Sequence, residues 1–433
     1  MNTTAPLSKF WAYVAVLVGA FLLLTGVAAV FGYLGLAAFF TDEDWLGMWI
    51  GPVAAASLGL VGGGLAVIHG LRSILGRSSR PLRMPPIYFF WISFALVLGV
   101  GNVLLSFHVA ERFLFPILFL FGAALPAIGV LAWSVRRLGA PLTWRQGALA
   151  LVAGSTLSIL VAVVLEGILP YLAYLLVEPL EFLATSFGAT FSGGAGGLLE
   201  RLFFSPLVLV FLISTAIEAP IPEEFAKALA LPLFGANRIT SERQAFALGL
   251  ASGAGFAVLE NMLYEGIYAQ YGGWSWGGIT LLRGIGAVLH PLCAGLVAVG
   301  WFRMRSQGVS TLLRAFVPAV GLHTLWNGGF TALLYLTGLD VFSGQGPSLD
   351  LYGTAVEVLL VAYLIVLSLG LWWILRSFVR GLAEGVAPDP GTVLVTRRAL
   401  AGWALAAVLV VIPIRAALTG AWQGILSLAV GGR

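Results

Sequence analysis

The stretch from Phe10 to Phe40, FWAYVAVLVGAFLLLTGVAAVFGYLGLAAFF, runs through 31 residues without one charged side chain. A helix needs about 20 apolar residues to cross the hydrocarbon core of a bilayer, so this stretch predicts a membrane-spanning helix. It is longer than the apolar region of a signal peptide, about 7–15 residues, and no small-residue cleavage site follows it. A retained first span is expected. Further apolar runs follow at 46–71, 87–107, 114–135, 147–177, 202–234, 245–264, 278–304, 313–336, 352–375 and 399–419. The expected fold is all-α, a polytopic transmembrane bundle of about eleven spans.

Composition agrees. Apolar residues make up 60% of the chain and charged residues 10%, and mean hydropathy is +0.99, values that exclude an ordinary soluble domain. The net charge of +4 resides largely in short loops, where membrane topology accounts for it, so no nucleic-acid partner is expected. The one cysteine, Cys293, rules out an intramolecular disulfide and a cysteine metal cluster.

Arginines gather at 72–83, 136–145, 238–243, 303–305 and 376–398, while the intervening loops carry Asp42, Glu43, Asp44, Glu178, Glu181, Asp340 and Asp350. The arginine loops should be cytoplasmic, which puts a cell-membrane protein's N-terminus inside and, with an odd span count, its C-terminus outside. Arg415 and Arg433 fit this poorly. Runs five and six exceed a single span and contain Pro170, Pro220 and Pro222, so one broken or re-entrant pair is expected there. Residues 1–200 are read as an N-terminal transmembrane region, 201–340 as a catalytic core, and 341–433 as C-terminal helices.

An ionisable side chain inside a span is costly unless paired or facing a wet cavity, so each one is a functional candidate. They concentrate between Glu218 and Asn327. Glu223, Glu224 and Lys227 follow Pro222, and Lys227 is one of only two lysines in the chain. Phe256 and Glu260, with Asn261 beside them, stand one turn apart in run seven. Arg283 and His290, seven residues apart in run eight, fall on one face of a continuous helix. His323 and Asn327 form another one-turn pair in run nine. A lone membrane histidine is usually a packing residue, and a Glu–Lys pair at a helix start is often a plain ion cluster. Four such groups in consecutive runs point to one buried hydrolytic or metal site.

The order Glu223-Glu224-x-x-Lys227, Phe256-x-x-x-Glu260-Asn261, His290, His323 resembles the signature of the PrsW family of intramembrane proteases, relatives of the CAAX-processing and bacteriocin-processing membrane proteases. The resemblance covers Pro220 to Asn327. It implies an intramembrane endopeptidase acting on a single-pass or membrane-anchored protein in a lipid environment, with a membrane-anchored anti-sigma factor as the best-known type of substrate. Glu223 or Glu224 would activate water, His323 and Asn327 would stabilise the oxyanion, and His290 would orient the water or protonate the leaving amine. Lys227 and Arg283 would hold the carboxylates, with Glu260 completing the set and Phe256 and Asn261 supporting it. A zinc ion held by His290, His323 and one or two of Glu223, Glu224 and Glu260 is the alternative to a metal-free glutamate mechanism. No His-Glu-x-x-His pair occurs in the sequence, which leaves both open.

Two other classes compete. An ion-coupled transporter would use Glu166 and Glu357 more naturally, but shows inverted repeats, which are not evident here. A non-catalytic membrane binding protein would have no need of the full set of motif residues.

Overall fold

In the computed structural model the described residues are 9–39, 49–108, 111–166, 214–229, 231, 239–342 and 351–384. They form helices α1 (Lys9–Phe39), α2 (Ile50–Ile74), α3 (Ile87–Ser106), α4 (Glu111–Arg137) and α5 (Trp144–Glu166). After these come α6 (Pro220–Ala228), α7 (Glu242–Ala269), α8 (Gly273–Ile285), α9 (Leu289–Gln307), α10 (Val309–Phe342) and α11 (Leu351–Glu384). Eight stretches among the described residues are long and apolar enough to cross a membrane, α8 and α9 together counting as one of them. The chain is a polytopic helical membrane protein. The eleventh expected run, 399–419, about half of the sixth, and the end of the fifth with Pro170 lie outside the described residues.

Local sequence sets several helix starts. Thr143 caps α5 in a reciprocal capping box with Gln146, and the Ser241 side chain accepts from the Gln244 amide at the start of α7, each satisfying an N–H that a helix end leaves open. Pro220 and Pro222 sit in the first turn of α6, where a missing N–H costs nothing. The break expected in runs five and six falls largely on residues outside the described ones, and run eight, expected as one span, is itself interrupted: the helix stops at Ile285 and restarts at Leu289, with Gly286 as the cap of α8. Glycine terminates a helix readily, and no hydropathy profile registers such a stop.

The chain divides into two compact units. The first comprises Met1–Ile159, Lys227–Ala315 and Leu371–Leu394. Within it α1 packs on α2, α3 on α4, and α7 on α4, α5, α8 and α9. Burial is uneven: the apolar window of α1 is 17% buried, against 78% for α7 and 89% for the α8–α9 stretch. Thus α1 offers Leu17, Phe21 and Leu24 outward as a lipid-facing helix does, and α7 with α9 forms the interior. An aromatic cluster of Trp49, Phe115, Phe119 and Trp276 lies in the same unit, its rings mostly edge to face at 5.0–5.5 Å.

The arginine-bearing helix ends of this unit are tied side by side. Arg303 near the end of α9 makes a two-pronged pair with Glu242 at the start of α7, at 2.8 and 2.9 Å. Arg243 donates to the Leu382 and Ala383 carbonyls at the end of α11, at 2.6 and 2.8 Å. Charges that the topology rule assigns to one side of the membrane are therefore neighbours in the fold.

The second unit comprises Leu160–Ala226, Phe316–Gly370 and Val395–Arg433. Its described part contains the end of α5 from Leu160, the π-helical turn Ser214–Glu218, the start of α6, α10 from Phe316 onward and α11 as far as Gly370. Tyr363 of α11 donates to the Leu325 carbonyl of α10 at 2.8 Å.

Candidate active site

In the second unit the paired acids meet a histidine. Glu224 Oε1 lies 2.8 Å from His323 Nδ1, and Glu223 Oε2 lies 3.7 Å from Nε2 of the same ring. Glu224 and His323 are fully buried and Glu223 is 8% exposed. With Nδ1–H donating to the Glu224 carboxylate, the imidazole is held in one tautomer and its lone pair is placed on Nε2, on the Glu223 side. Asn327, one turn beyond His323, donates from Nδ2 to the Thr215 carbonyl at 3.0 Å. That bond anchors the π-helical turn leading into α6, so α10 positions the acids as well as contacting them. Glu218 in this turn is buried too.

In the first unit the remaining candidates form one connected chain. Lys227 Nζ is 2.9 Å from His290 Nδ1, and His290 Nε2 is 2.7 Å from Glu260 Oε2. That same oxygen accepts from Arg283 at 2.9 Å. Arg283 Nε donates to Asn261 Oδ1 at 2.7 Å, and Asn261 Nδ2 donates to the Ala123 carbonyl of α4 at 3.0 Å. An ammonium donor at Nδ1 leaves the proton on Nε2, directed at Glu260. Phe256 lies under both cation and imidazole: Lys227 Nζ is 4.1 Å from its ring centroid and the His290 ring 5.5 Å, a cation–π contact in a dry setting. The one-turn spacing of Phe256 and Glu260 thus brings both to His290.

The break after Ile285 changes how Arg283 and His290 come together. They are not two turns apart on one helix, as their spacing suggests. Arg283 closes α8 and His290 opens α9, and both turn to Glu260 from opposite sides of the glycine stop.

Close helix contact makes this possible. A Cβ on Gly253 would overlap the His290 carbonyl, and one on Gly255 would overlap the Leu151 carbonyl of α5. Glycines at these positions let α7 approach both neighbours at backbone distance, as small residues do between membrane helices.

One buried acid escaped the sequence reading. Glu265 is fully buried and stands one turn beyond Asn261 on α7, past the expected end of run seven at Tyr264. The four-residue spacing from Asn261 was the available signal. Of the acids outside the expected site, Glu166 ends the described part of α5, and the side chain of Glu357 lies outside the described residues.

The donor atoms suit a divalent ion in part. His323 Nε2 and Glu223 Oε2, 3.7 Å apart, are slightly wider than the roughly 3.3 Å between two tetrahedral zinc ligands with bonds of about 2.0–2.1 Å. A carboxylate on the remote nitrogen, as Glu224 provides, is the usual support for a metal-binding imidazole. Of the other ligands that the sequence suggested, Glu224 is engaged with Nδ1, Glu260 with Arg283 and His290, and both His290 nitrogens have partners.

Acids buried against imidazoles in a helical membrane protein are the groups that an intramembrane hydrolase needs. The chain belongs to a family of such hydrolases: residues 142–367 match the PrsW family intramembrane metalloproteases. It is therefore a multi-pass membrane protease by family. Comparison with curated proteins and comparison with solved structures return no match.

Proposed function

We propose that the chain cleaves a peptide bond in a single-pass or otherwise membrane-anchored protein, a membrane-anchored anti-sigma factor being one substrate of this type, and that Glu223 and His323 act on the water. The carrying observation is the clamp of Glu224 on His323 Nδ1 at 2.8 Å, which gives the two acids different tasks. Glu224 orients the imidazole. Glu223, on the Nε2 side, takes the proton of the attacking water, contributing as general bases do, about 10²–10⁴-fold.

His290, oriented by Glu260, gives the leaving amine its Nε2 proton while Lys227 passes one to Nδ1. Lys227 and Arg283 fix their orientation and compensate the Glu260 charge. Asn327 spends one amide hydrogen on Thr215 and has a second for the developing oxyanion. In a metallo form of the reaction His323 and Glu223 would hold the ion, whose chemistry would be to lower the pKa of water and polarise the scissile carbonyl. The catalytic core is residues 201–340, the arginine-rich helix ends face the cytoplasm of a cell membrane, and the N-terminus is on that side with the C-terminus opposite.

The test is cleavage of tagged single-pass membrane proteins co-expressed with the wild type, with Glu223→Gln and with Glu224→Gln, together with metal analysis of the purified protein before and after chelation. Cleavage by the wild type and its collapse in Glu223→Gln is the expected result. Normal processing by both folded variants overturns the assignment.

A further inference from the structure

Among the described residues a cavity of about 400 Å³ opens between the ends of α4 and α11, lined by Trp133, Arg137, Trp372, Arg376, Arg380 and Glu384, with Val379 and Ala383. None of its residues belongs to the groups described above. Its chemistry is that of an anion receptor with an aromatic wall. Trp133 and Trp372 pack at 4.9 Å, and the Arg137 guanidinium stands 5.9 Å from the Trp133 ring centroid. Arg376, Arg380 and Glu384 succeed one another at one-turn intervals along α11 and so share a face.

Three guanidiniums around one cavity repel each other, and among the described residues none of them is within ion-pair distance of a carboxylate, Glu384 included. An anion entering the cavity would relieve that repulsion, and arginine's planar fork matches phosphate oxygens in pairs. The surroundings narrow the choice. The cavity lies at the arginine-bearing helix ends, where tryptophans mark the boundary between headgroups and acyl chains, and basic pockets between spanning helices at that level suit phospholipid headgroups. Trp373, next to the cavity wall, is 69% exposed and continues it with an apolar surface.

We propose that this cavity binds the phosphodiester headgroup of an anionic phospholipid. The guanidiniums of Arg137, Arg376 and Arg380 hold the phosphate, the two indoles pack against the glycerol region, and the acyl chains leave past Trp373. Occupancy bears on the rest of the unit through a short path. The α11 end that forms the cavity also receives two hydrogen bonds from Arg243 at the start of α7, and α7 carries Glu260. The inference is independent of how the acids and imidazoles divide the hydrolysis.

Native mass spectrometry of the purified full chain provides the test, with phosphatidylglycerol, phosphatidylcholine and inorganic phosphate as probes. The wild type should retain phosphatidylglycerol in preference to phosphatidylcholine. The double variant Arg376→Gln/Arg380→Gln should bind it at least about tenfold more weakly, the scale of one lost charge-assisted bond. The same charge change placed elsewhere, Arg80→Gln/Arg83→Gln, should leave retention unchanged. Selectivity is read on the wild type alone, so it stands even if the double variant folds poorly. Failure of millimolar inorganic phosphate to displace the lipid supports the lipid source, and displacement by phosphate overturns it in favour of a soluble phosphate. Equal retention of the two lipids by the wild type, or unchanged retention by a folded Arg376→Gln/Arg380→Gln variant, overturns the site.

Discussion

Glu224 accepts the Nδ1 proton of His323 at 2.8 Å, and neither side chain has any exposed surface. Adjacent acids on one helix turn point in different directions, so this contact separates Glu224 from Glu223 in position about the ring although the sequence places them as equals. Only Glu223 stands on the Nε2 side of the ring, at 3.7 Å.

The division predicts unequal losses. Glu224→Gln keeps an oxygen that can accept from Nδ1 and should lower kcat by about 10–100-fold, the usual cost of altering a supporting partner. Glu223→Gln removes the base and should cost more, about 10²–10⁴-fold. Rates on one purified substrate in liposomes compare the two, and equal losses would show that the acids are interchangeable.

Arg283 serves two acceptors at once, Asn261 Oδ1 at 2.7 Å through Nε and Glu260 Oε2 at 2.9 Å through a terminal nitrogen. Arg283→Lys offers one short-reach point charge in place of a fork and cannot serve both. One buried partner is then stranded, at a cost of about 1–3 kcal/mol for an unpaired polar atom and more for a charge. Thermal unfolding in detergent should show a clear drop for Arg283→Lys. An unchanged midpoint would mean that the fork geometry is dispensable.

These contacts show what the sequence disclosed. Uncharged runs such as Phe10–Phe40 announced spans because membrane insertion depends on summed apolarity over about 20 residues. Pairs one turn apart, Phe256 with Glu260 and His323 with Asn327, were legible because helical periodicity alone fixes their common face. The meeting of Arg283 with His290 was not legible in its true form. It depends on a stop at Gly286 inside an apolar run, and apolarity carries no record of backbone direction. Glu265 went unseen because the helix outlasts its apolar stretch, with Glu265 and Tyr268 still inside α7. The split between Glu223 and Glu224 required the position of α10, which no local pattern contains.

The glycine contacts on α7 give a steric prediction. A methyl group at Gly253 would fall 2.8 Å from Pro291 Cα and overlap the His290 carbonyl, whereas at Gly278 it would meet nothing within 4 Å. Gly253→Ala should push α9 outward, disturb His290 and reduce both cleavage and thermal stability, by about 1–3 kcal/mol as overpacking does. Gly278→Ala should be neutral or slightly stabilising, since alanine favours helix by up to about 1 kcal/mol. Matching behaviour of the two variants in activity and unfolding assays would contradict this packing.

Glu265 separates burial from catalysis. Its carboxylate is fully buried and neither oxygen has a well-formed hydrogen bond, while Thr280 Oγ1 and Trp276 Nε1 are in the same condition. All three residues close around Gly122 of α4, whose Cβ position lies 3.3 Å from Glu265 Oε2 and from Trp276 Cζ2. A buried acid without a good partner is a net burden on the fold, and an apolar residue of similar volume relieves it. Glu265→Met should therefore raise stability by roughly 1–3 kcal/mol, the desolvation penalty of one unsatisfied group, and leave cleavage rates unchanged. The result reads in two dimensions. Higher stability with full activity makes Glu265 a tolerated defect of packing, whereas loss of activity in a folded Glu265→Met variant would place this acid in the proton path that leads from Glu260 and His290.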